Sequence, residues 1–317
     1  MGIFHCPFGC PYYDDEGCID CGLCMATTNE EMVEASKKVR AYLKAHAQQG
    51  RPLQKIAVCG KGGVGKSTIV TLMAKALVSL NYGVLVLDTD ESNPGLYRSL
   101  GFDKTPKPLY SLMSRFSYRE QPEEDTQWIM LPEIKVMDIP PPYILKQNGI
   151  KFLMVGKIED PFQGCACSMA DVTRGLVSRL SLMENEIILI DMEAGVESFG
   201  RGVERSVDLV LSIVEPSFES MALAEKIVYM AEGMGINRAG AILNKVPSEA
   251  IKEKMIRELE KRNVQTLATI HFDQEVQEAG FEGRPPNNSK AGEEVEKITQ
   301  VLINVVQQTT NQRDLKF

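Results

Sequence analysis

The run Gly60-Lys61-Gly62-Gly63-Val64-Gly65-Lys66-Ser67-Thr68 constrains this chain more than any other stretch. Its glycines let backbone N–H groups turn inward around phosphate oxygens, as in a phosphate-binding loop. Lys66 supplies a point charge to the β- and γ-phosphates, and the Ser67 hydroxyl can reach Mg²⁺. The run from Gln54 to Cys59 is short, apolar and partly β-branched, so it reads as a strand. Thr68 to Leu80 carries apolar residues at helical spacing and reads as a helix. The loop is thus expected at a helix N-terminus, where anions bind. Lys61 stands too early in the loop to face its own phosphates. It is free to reach a nucleotide held by a second copy of the chain, which predicts a nucleotide-driven homodimer.

Strand and helix signals alternate downstream. Val84–Leu87, Ile187–Ile190, Leu209–Val214 and Ala241–Leu243 are continuous apolar runs, and 265–270 reads as a last strand. Such runs fit strands buried on both faces of a parallel sheet. The expected fold is therefore an α/β P-loop NTPase, its mostly parallel sheet flanked by helices. Glu293 to Val306 reads as a helix with Val295, Ile298, Val301, Leu302 and Val305 on the core face. The region 101–142 is proline-rich and gives no clear assignment. The first 50 residues differ in character: Cys, Pro, Gly and Asp crowd residues 1–25, and a helix follows from Thr27/Thr28 to about His46. A small Cys-rich segment over 1–50 and an ATPase domain over 51–317 follow from this.

The chain has 317 residues and a net charge of −8, without a basic arm, which argues against nucleic acid as a partner. No apolar run approaches the roughly 18 residues of a membrane span, and no signal-peptide pattern opens the chain. The expectation is a cytoplasmic protein with no membrane role.

Two strand ends carry acids where ligands collect in parallel sheets. Asp88-Thr89-Asp90-Glu91-Ser92-Asn93 follows the Val84 strand; Asp90 is the candidate for positioning the hydrolytic water, and helix capping is the other use of such acids. Asp191 ends the Ile187 strand, where a Walker-B-type residue contacts Mg²⁺ through water. Gly195 lets a backbone N–H approach the γ-phosphate as part of a switch. Asn244-Lys245 follows another strand; the amide offers both a donor and an acceptor to an adenine edge, and a surface turn would look the same.

Eight cysteines remain. In a cytosolic chain, clustered thiols bind metal or do redox work more often than they form disulfides. Cys165 and Cys167 can both face one ion but leave a four-coordinate site half empty. A two-fold dimer supplies the other half, giving a four-thiolate site for Ni²⁺ or Zn²⁺; a redox-active dithiol is the alternative. Cys18-x-x-Cys21-x-x-Cys24, with Cys6 or Cys10 as a fourth ligand, has the compact spacing of a [4Fe–4S] binder, and a structural zinc site fits the same residues. Cys59 reads as a buried, inert thiol.

The loop from Lys61 to Ser67 resembles the deviant Walker A loop of the MinD/ParA/nitrogenase-iron-protein class. Asp191-Met192-Glu193-Ala194-Gly195-Val196-Glu197, with Gly200-Arg201-Gly202, resembles the carbon monoxide dehydrogenase accessory ATPases of the CooC type. So do Cys165-Ala166-Cys167, Val214-Glu215-Pro216-Ser217 and Asn244-Lys245-Val246. The resemblance implies an ATPase that binds ATP/ADP and Mg²⁺ between subunits. Lys61 would touch the partner's nucleotide, Lys66 and Ser67 would hold phosphate and Mg²⁺, and Asp90 would serve the water. It also implies Ni²⁺ or Zn²⁺ at Cys165/Cys167 and a client metalloenzyme, carbon monoxide dehydrogenase or acetyl-CoA synthase. The Cys-rich segment 1–50 departs from the family pattern. It leaves open an ATP-gated electron donor whose cluster sits on that segment; an Mrp-type iron–sulfur carrier, with a transferable cluster at Cys165 and Cys167, is a further alternative.

Overall fold

The computed structural model describes residues 13–14, 17–18, 28, 30, 53–112, 124–157, 166–200, 206–236 and 238–311. Two short strands, β1 (Tyr13–Asp14) and β2 (Gly17–Cys18), pair antiparallel near the N-terminus. The main α/β part begins with β3 (Lys55–Gly60), the glycine-rich loop and helix α1 (Lys66–Ser79). Next come β4 (Gly83–Asp88), a one-turn helix α2 (Leu96–Ser99), β5 (Ile134–Lys135), β6 (Leu145–Gln147) and β7 (Ile150–Met154). Then follow α3 (Ala166–Arg179), β8 (Leu180–Ser181), β9 (Glu186–Asp191), α4 (Glu197–Gly200), β10 (Leu209–Val214) and α5 (Phe218–Gly233). The chain continues through β11 (Ala239–Val246), α6 (Glu249–Glu260), β12 (Thr266–His271), α7 (Gln274–Glu282) and α8 (Lys290–Asn311).

Eight strands form the main sheet in the order β12-β11-β10-β3-β9-β4-β7-β6. Every pairing is parallel except β6 with β7. The apolar runs form strands because alternate residues meet different layers. Ile56 and Val58 of β3 face α1, with Ile69, Val70, Met73 and Leu77. Ala57 and Cys59 face the other side, with Val172, Leu176 and Ile227 of α3 and α5. Each such buried aliphatic side chain contributes roughly 1.5–3 kcal/mol. Helix starts have local causes as well: Ser217, Ser248 and Asp273 accept from the N–H groups of Ser220, Ile251 and Val276.

The expected α/β architecture is present, with three corrections. First, β6 and β7 form a hairpin that the apolar-run reading passed over. Asn148 and Gly149 turn it at φ of 49° and 78°, the left-handed pair that two-residue hairpins favour. Second, Asn244 and Lys245 lie inside β11, not after it, and Lys245 stands at φ 56° where the pairing with β12 shifts register. Third, Val301 is 59% exposed. The core face of α8 runs through Ala291, Val295, Thr299 and Ile303, with Ile298 and Leu302 partly buried against it as expected. Thr299 fits there because its hydroxyl donates to the Val295 carbonyl, 2.7 Å away. In the described parts of the proline-rich stretch, 101–112 and 124–142, Leu109, Leu112, Trp128, Ile129 and Ile134, with Tyr143 just after them, close the α3 side of the core.

Candidate functional site

The phosphate loop leaves the end of β3 and turns into α1 through backbone conformations that only glycine adopts without strain. Gly60 has φ 144°, and a Cβ there would meet the Ile213 carbonyl oxygen at 2.7 Å. Gly65 has φ 96°, and a Cβ there would meet the Asn244 amide nitrogen at 2.6 Å. Gly63 is left-handed at φ 80°. Gly62 is different, because the nearest atom to its Cβ position is 3.9 Å away. Val64 is wholly buried and anchors the loop. Gly65 is the N-cap of α1 and offers no side-chain hydrogen bond. The first-turn N–H groups, including that of Thr68, are therefore available to an anion.

Around the loop the strand ends deliver the other residues. The Asn244 side chain donates to the Val64 carbonyl oxygen at 2.8 Å, bracing the loop from β11. Lys245 donates to the Gly63 carbonyl oxygen at 2.5 Å. Gly195, at φ 100°, donates its N–H to the Gly60 carbonyl oxygen at 3.3 Å. The segment after β9 thus lies directly on the phosphate loop. Lys66 is buried, and its ammonium is 3.4 Å from the Lys61 carbonyl oxygen. Lys61 reaches outward: its ammonium is 3.8 Å from Glu215 Oε1, while Lys245 is 3.4 Å from Glu215 Oε2. The Lys61 side chain is partly exposed.

The centre of the site is Ser67. Its hydroxyl donates to Asp191 Oδ2 at 2.6 Å and accepts from the Asn93 amide at 2.6 Å. The other Asp191 oxygen, Oδ1, is buried with no hydrogen-bond partner. Burial pushes the Asp191 carboxyl up to about 7, and the nearby Asp88 charge adds to the effect, against the Ser67 hydroxyl and Lys66. Asp88 stands opposite Asp191 in the β4–β9 ladder and is itself pushed up to about 6, mainly by burial, against the Lys157 charge. A buried, unpaired carboxylate oxygen beside a serine hydroxyl suits a hard cation with oxygen ligands. The residues present therefore fit Mg²⁺, which Ser67 and Asp191 would hold. Bound there, it would offset the charge of the phosphate oxygens.

Asp90 is buried in the same turn. Its Oδ1 accepts from the Ser92 N–H at 2.9 Å and the Ser92 hydroxyl at 2.6 Å. It caps no helix, since the N-cap of α2 is Gly95, which offers no side-chain cap. Lys157 was absent from the sequence reading, and Asn93 and Glu215 entered it only as members of quoted segments with no role of their own. Asn93 and Glu215 stand in segments that carried other signals. Lys157 follows β7, and the Asn148-Gly149 hairpin signal would have located that strand.

Cys59 is buried, as expected. Cys167 lies in the first turn of α3 and Cys18 in β2. Cys165, Cys6, Cys10, Cys21 and Cys24 lie outside the described residues, as does the expected helix from Thr27/Thr28 to about His46 apart from residues 28 and 30. Among the described residues, no helix is long and apolar enough to cross a membrane.

Comparison with known proteins gives a consistent set of likenesses. Residues 55–286 match the CobQ/CobB/MinD/ParA nucleotide binding domain. An uncharacterized ATP-binding protein of Methanocaldococcus jannaschii is 35% identical over 252 residues, covering 78% of this chain and 99% of that one. The carbon monoxide dehydrogenase accessory protein CooC of Rhodospirillum rubrum is 33% identical over 233 residues, 72% of this chain and 88% of its own. An iron–sulfur cluster carrier protein of M. jannaschii is 24% identical but aligns over 90% of this chain. Among solved structures, the septum site-determining protein MinD of Pyrococcus horikoshii, complexed with Mg-ADP, superposes with a TM-score of 0.60. That match spans 81% of this chain and 98% of MinD at 19% identity, a likeness of fold alone.

Proposed function

This chain belongs to the CobQ/CobB/MinD/ParA nucleotide-binding family and within it to the CooC-type deviant P-loop ATPases, and from that premise we propose that it is an ATP-hydrolysing metal-site maturation factor. The observation that carries the nucleotide half is the Ser67–Asp191 pair, with one Asp191 oxygen buried and unpartnered where a nucleotide-bound Mg²⁺ would sit. Lys66 and the first-turn N–H groups of α1 bind the phosphates, and Asn244 and Lys245 border the base side of the loop. Asp90 positions the water that attacks the terminal phosphoryl group, releasing phosphate and leaving ADP. Lys61 crosses to the nucleotide of a second chain, so ATP draws two copies together. Its partly exposed, 3.8 Å contact with Glu215 is weak enough to exchange for a phosphate.

The metal half rests on Cys165 and Cys167 and on the likeness to CooC. Two such pairs in a dimer complete a four-thiolate site for Ni²⁺ or Zn²⁺ as cargo. The cargo passes to a client, carbon monoxide dehydrogenase or acetyl-CoA synthase, in the cytoplasm. Substituting both cysteines with Ala is expected to abolish stoichiometric nickel binding per dimer while leaving folding intact. Unchanged nickel binding overturns the carrier reading.

A second reading has its own support. Cys18-x-x-Cys21-x-x-Cys24 suits an iron–sulfur cluster, and the iron–sulfur carrier relative aligns across nearly the whole chain. Under that reading residues 1–50 are a separate cluster-bearing segment for electron or cluster transfer. Iron and sulfide analysis of anaerobically purified full-length protein and of a 51–317 fragment decides: iron lost with the first 50 residues supports it, and iron absent from both overturns it.

A further inference from the structure

Glu215 follows β10 directly and emerges beside the Asn244–Lys245 step of β11, since Val214 pairs with Leu243. Its backbone is fixed at the start of α5. The Glu215 N–H donates to the Ser220 hydroxyl at 3.1 Å, and the Glu215 carbonyl oxygen accepts from the Ser217 N–H at 2.7 Å. The carboxylate is shared by two lysines from different segments: Oε1 lies 3.8 Å from the Lys61 ammonium and Oε2 lies 3.4 Å from that of Lys245. Lys245 is also held on the Gly63 carbonyl oxygen at 2.5 Å. It makes both contacts from a left-handed backbone, φ 56°, at the register shift of β11. A non-glycine residue in that conformation is strained, and its contacts must offset the strain. Lys66 brings a third ammonium to the same loop. Three like charges thus converge, and Glu215 answers two of them.

We propose that Glu215 is a positioning residue that holds Lys61 against its own chain and so sets the threshold at which nucleotide joins two copies. This rests on the reading in which Lys61 crosses to the nucleotide of a second chain. Lys61 crosses by leaving Glu215, because the carboxylate is fixed to its own chain through Ser217 and Ser220 and does not follow. The phosphates of the second chain therefore compete with a carboxylate for one ammonium, and the dimer is weakened by the contact it breaks. The competition is mild for two reasons. The Lys61 pair is long and partly exposed, and Lys245 stays beside Glu215 after Lys61 has left, so the carboxylate keeps a counter-charge. An exposed pair of this kind changes an equilibrium constant by about 1.5-fold to fivefold. A two-fold dimer breaks two of them, which raises its dissociation constant by about twofold to twenty-five-fold. A threshold of that size leaves closure possible and makes it depend on the phosphates that Lys61 meets.

The experiment measures dimerisation of full-length protein by sedimentation equilibrium with a non-hydrolysable ATP analogue and Mg²⁺. Wild type is compared with Glu215→Gln, Glu215→Asp and the double variant Lys61→Ala/Glu215→Gln. Glu215→Gln keeps the size and removes the charge. It is expected to dimerise about tenfold more tightly than wild type, while ADP binding by the single chain stays within about threefold. Glu215→Asp keeps the charge on a shorter arm and is expected to fall between the two. The double variant is expected to stay monomeric, since it has no lysine to release. A Glu215 that merely braced the loop would, on substitution, weaken ADP binding and dimerisation together. Glu215→Gln that dimerises no more tightly than wild type, with wild type dimeric, overturns this inference alone. A dimer of the double variant also overturns it, because Glu215 would then act by a route that does not run through Lys61. A wild type that stays monomeric with the analogue overturns the dimer reading and this inference with it. Should Glu215→Gln not fold, Glu215→Asp carries the test: dimerisation tighter than wild type by about threefold is expected, and no change overturns the inference.

Discussion

Replacing Asp191 with Asn should make the nucleotide-free protein more stable at pH 8 and less stable at pH 4. Burial lifts the Asp191 carboxyl from 3.8 to about 7. Between those values the native protein holds a proton that the unfolded chain has released. Stability from this group is therefore whole below 3.8 and falls as pH rises, until it is gone above about 7. The span corresponds to about 4 kcal/mol as an upper bound, at about 1.4 kcal/mol per pH unit. Asn carries no charge at any pH and keeps an oxygen for the Ser67 hydroxyl. Its amide nitrogen replaces Oδ1, which has no partner, so two buried N–H donors go unmatched where the protonated carboxyl leaves only one O–H, at a cost of about 1–3 kcal/mol. The difference predicts a crossover: the variant is about 1–3 kcal/mol worse at pH 4 and better by a similar amount at pH 8. Urea denaturation at pH 4, 6 and 8, with chelator and without nucleotide, measures it. A second set with Mg²⁺ and ADP should stabilise wild type and stabilise the variant far less. Wild-type stability that is flat between pH 4 and 7, or a variant advantage that does not grow with pH, refutes the reasoning. Asp191 would then be comfortably ionised, with no unmet demand for a cation.

Two further outcomes test the loop. Gly65→Ala, which places a Cβ at φ 96° and 2.6 Å from the Asn244 nitrogen, should destabilise by about 1–3 kcal/mol and weaken ADP binding. Gly62→Ala, whose Cβ would meet the Ala194 Cβ at an ordinary 3.9 Å, should change stability by less than about 0.5 kcal/mol; equal losses in thermal melts would contradict this geometry. Lys61→Ala should leave ADP binding by the single chain within about threefold, since its ion pair with Glu215 is partly exposed. The variant should stay monomeric in sedimentation runs with an ATP analogue and Mg²⁺, and a dimer there would remove Lys61 from the interface.

The sequence determined what depends on neighbours along the chain. The glycine loop between a strand and a helix, and apolar runs too continuous for one-sided sheets, specify a parallel α/β core without reference to distant residues. Both acids at strand ends were legible for the same reason, because a strand end fixes where its next residue emerges. Tertiary structure decided what depends on contact across the sheet. Asn244 is 180 residues from the carbonyl it braces, and only the order β11-β10-β3 brings them together. The orphaned oxygen of Asp191 and its raised pKa exist because β9 lies between β3 and β4, placing three carboxylates in one dry space. Thr299 was invisible as a core residue because polarity hid it, until its own helix accepted the hydroxyl. Lys157 was invisible because a lysine after an unread strand looks like surface. Its meaning came from β7 pairing with β4, which sets a buried ammonium against Asp88. Local pattern follows from short-range sterics and periodicity, while charge and polar satisfaction follow from who is brought next to whom.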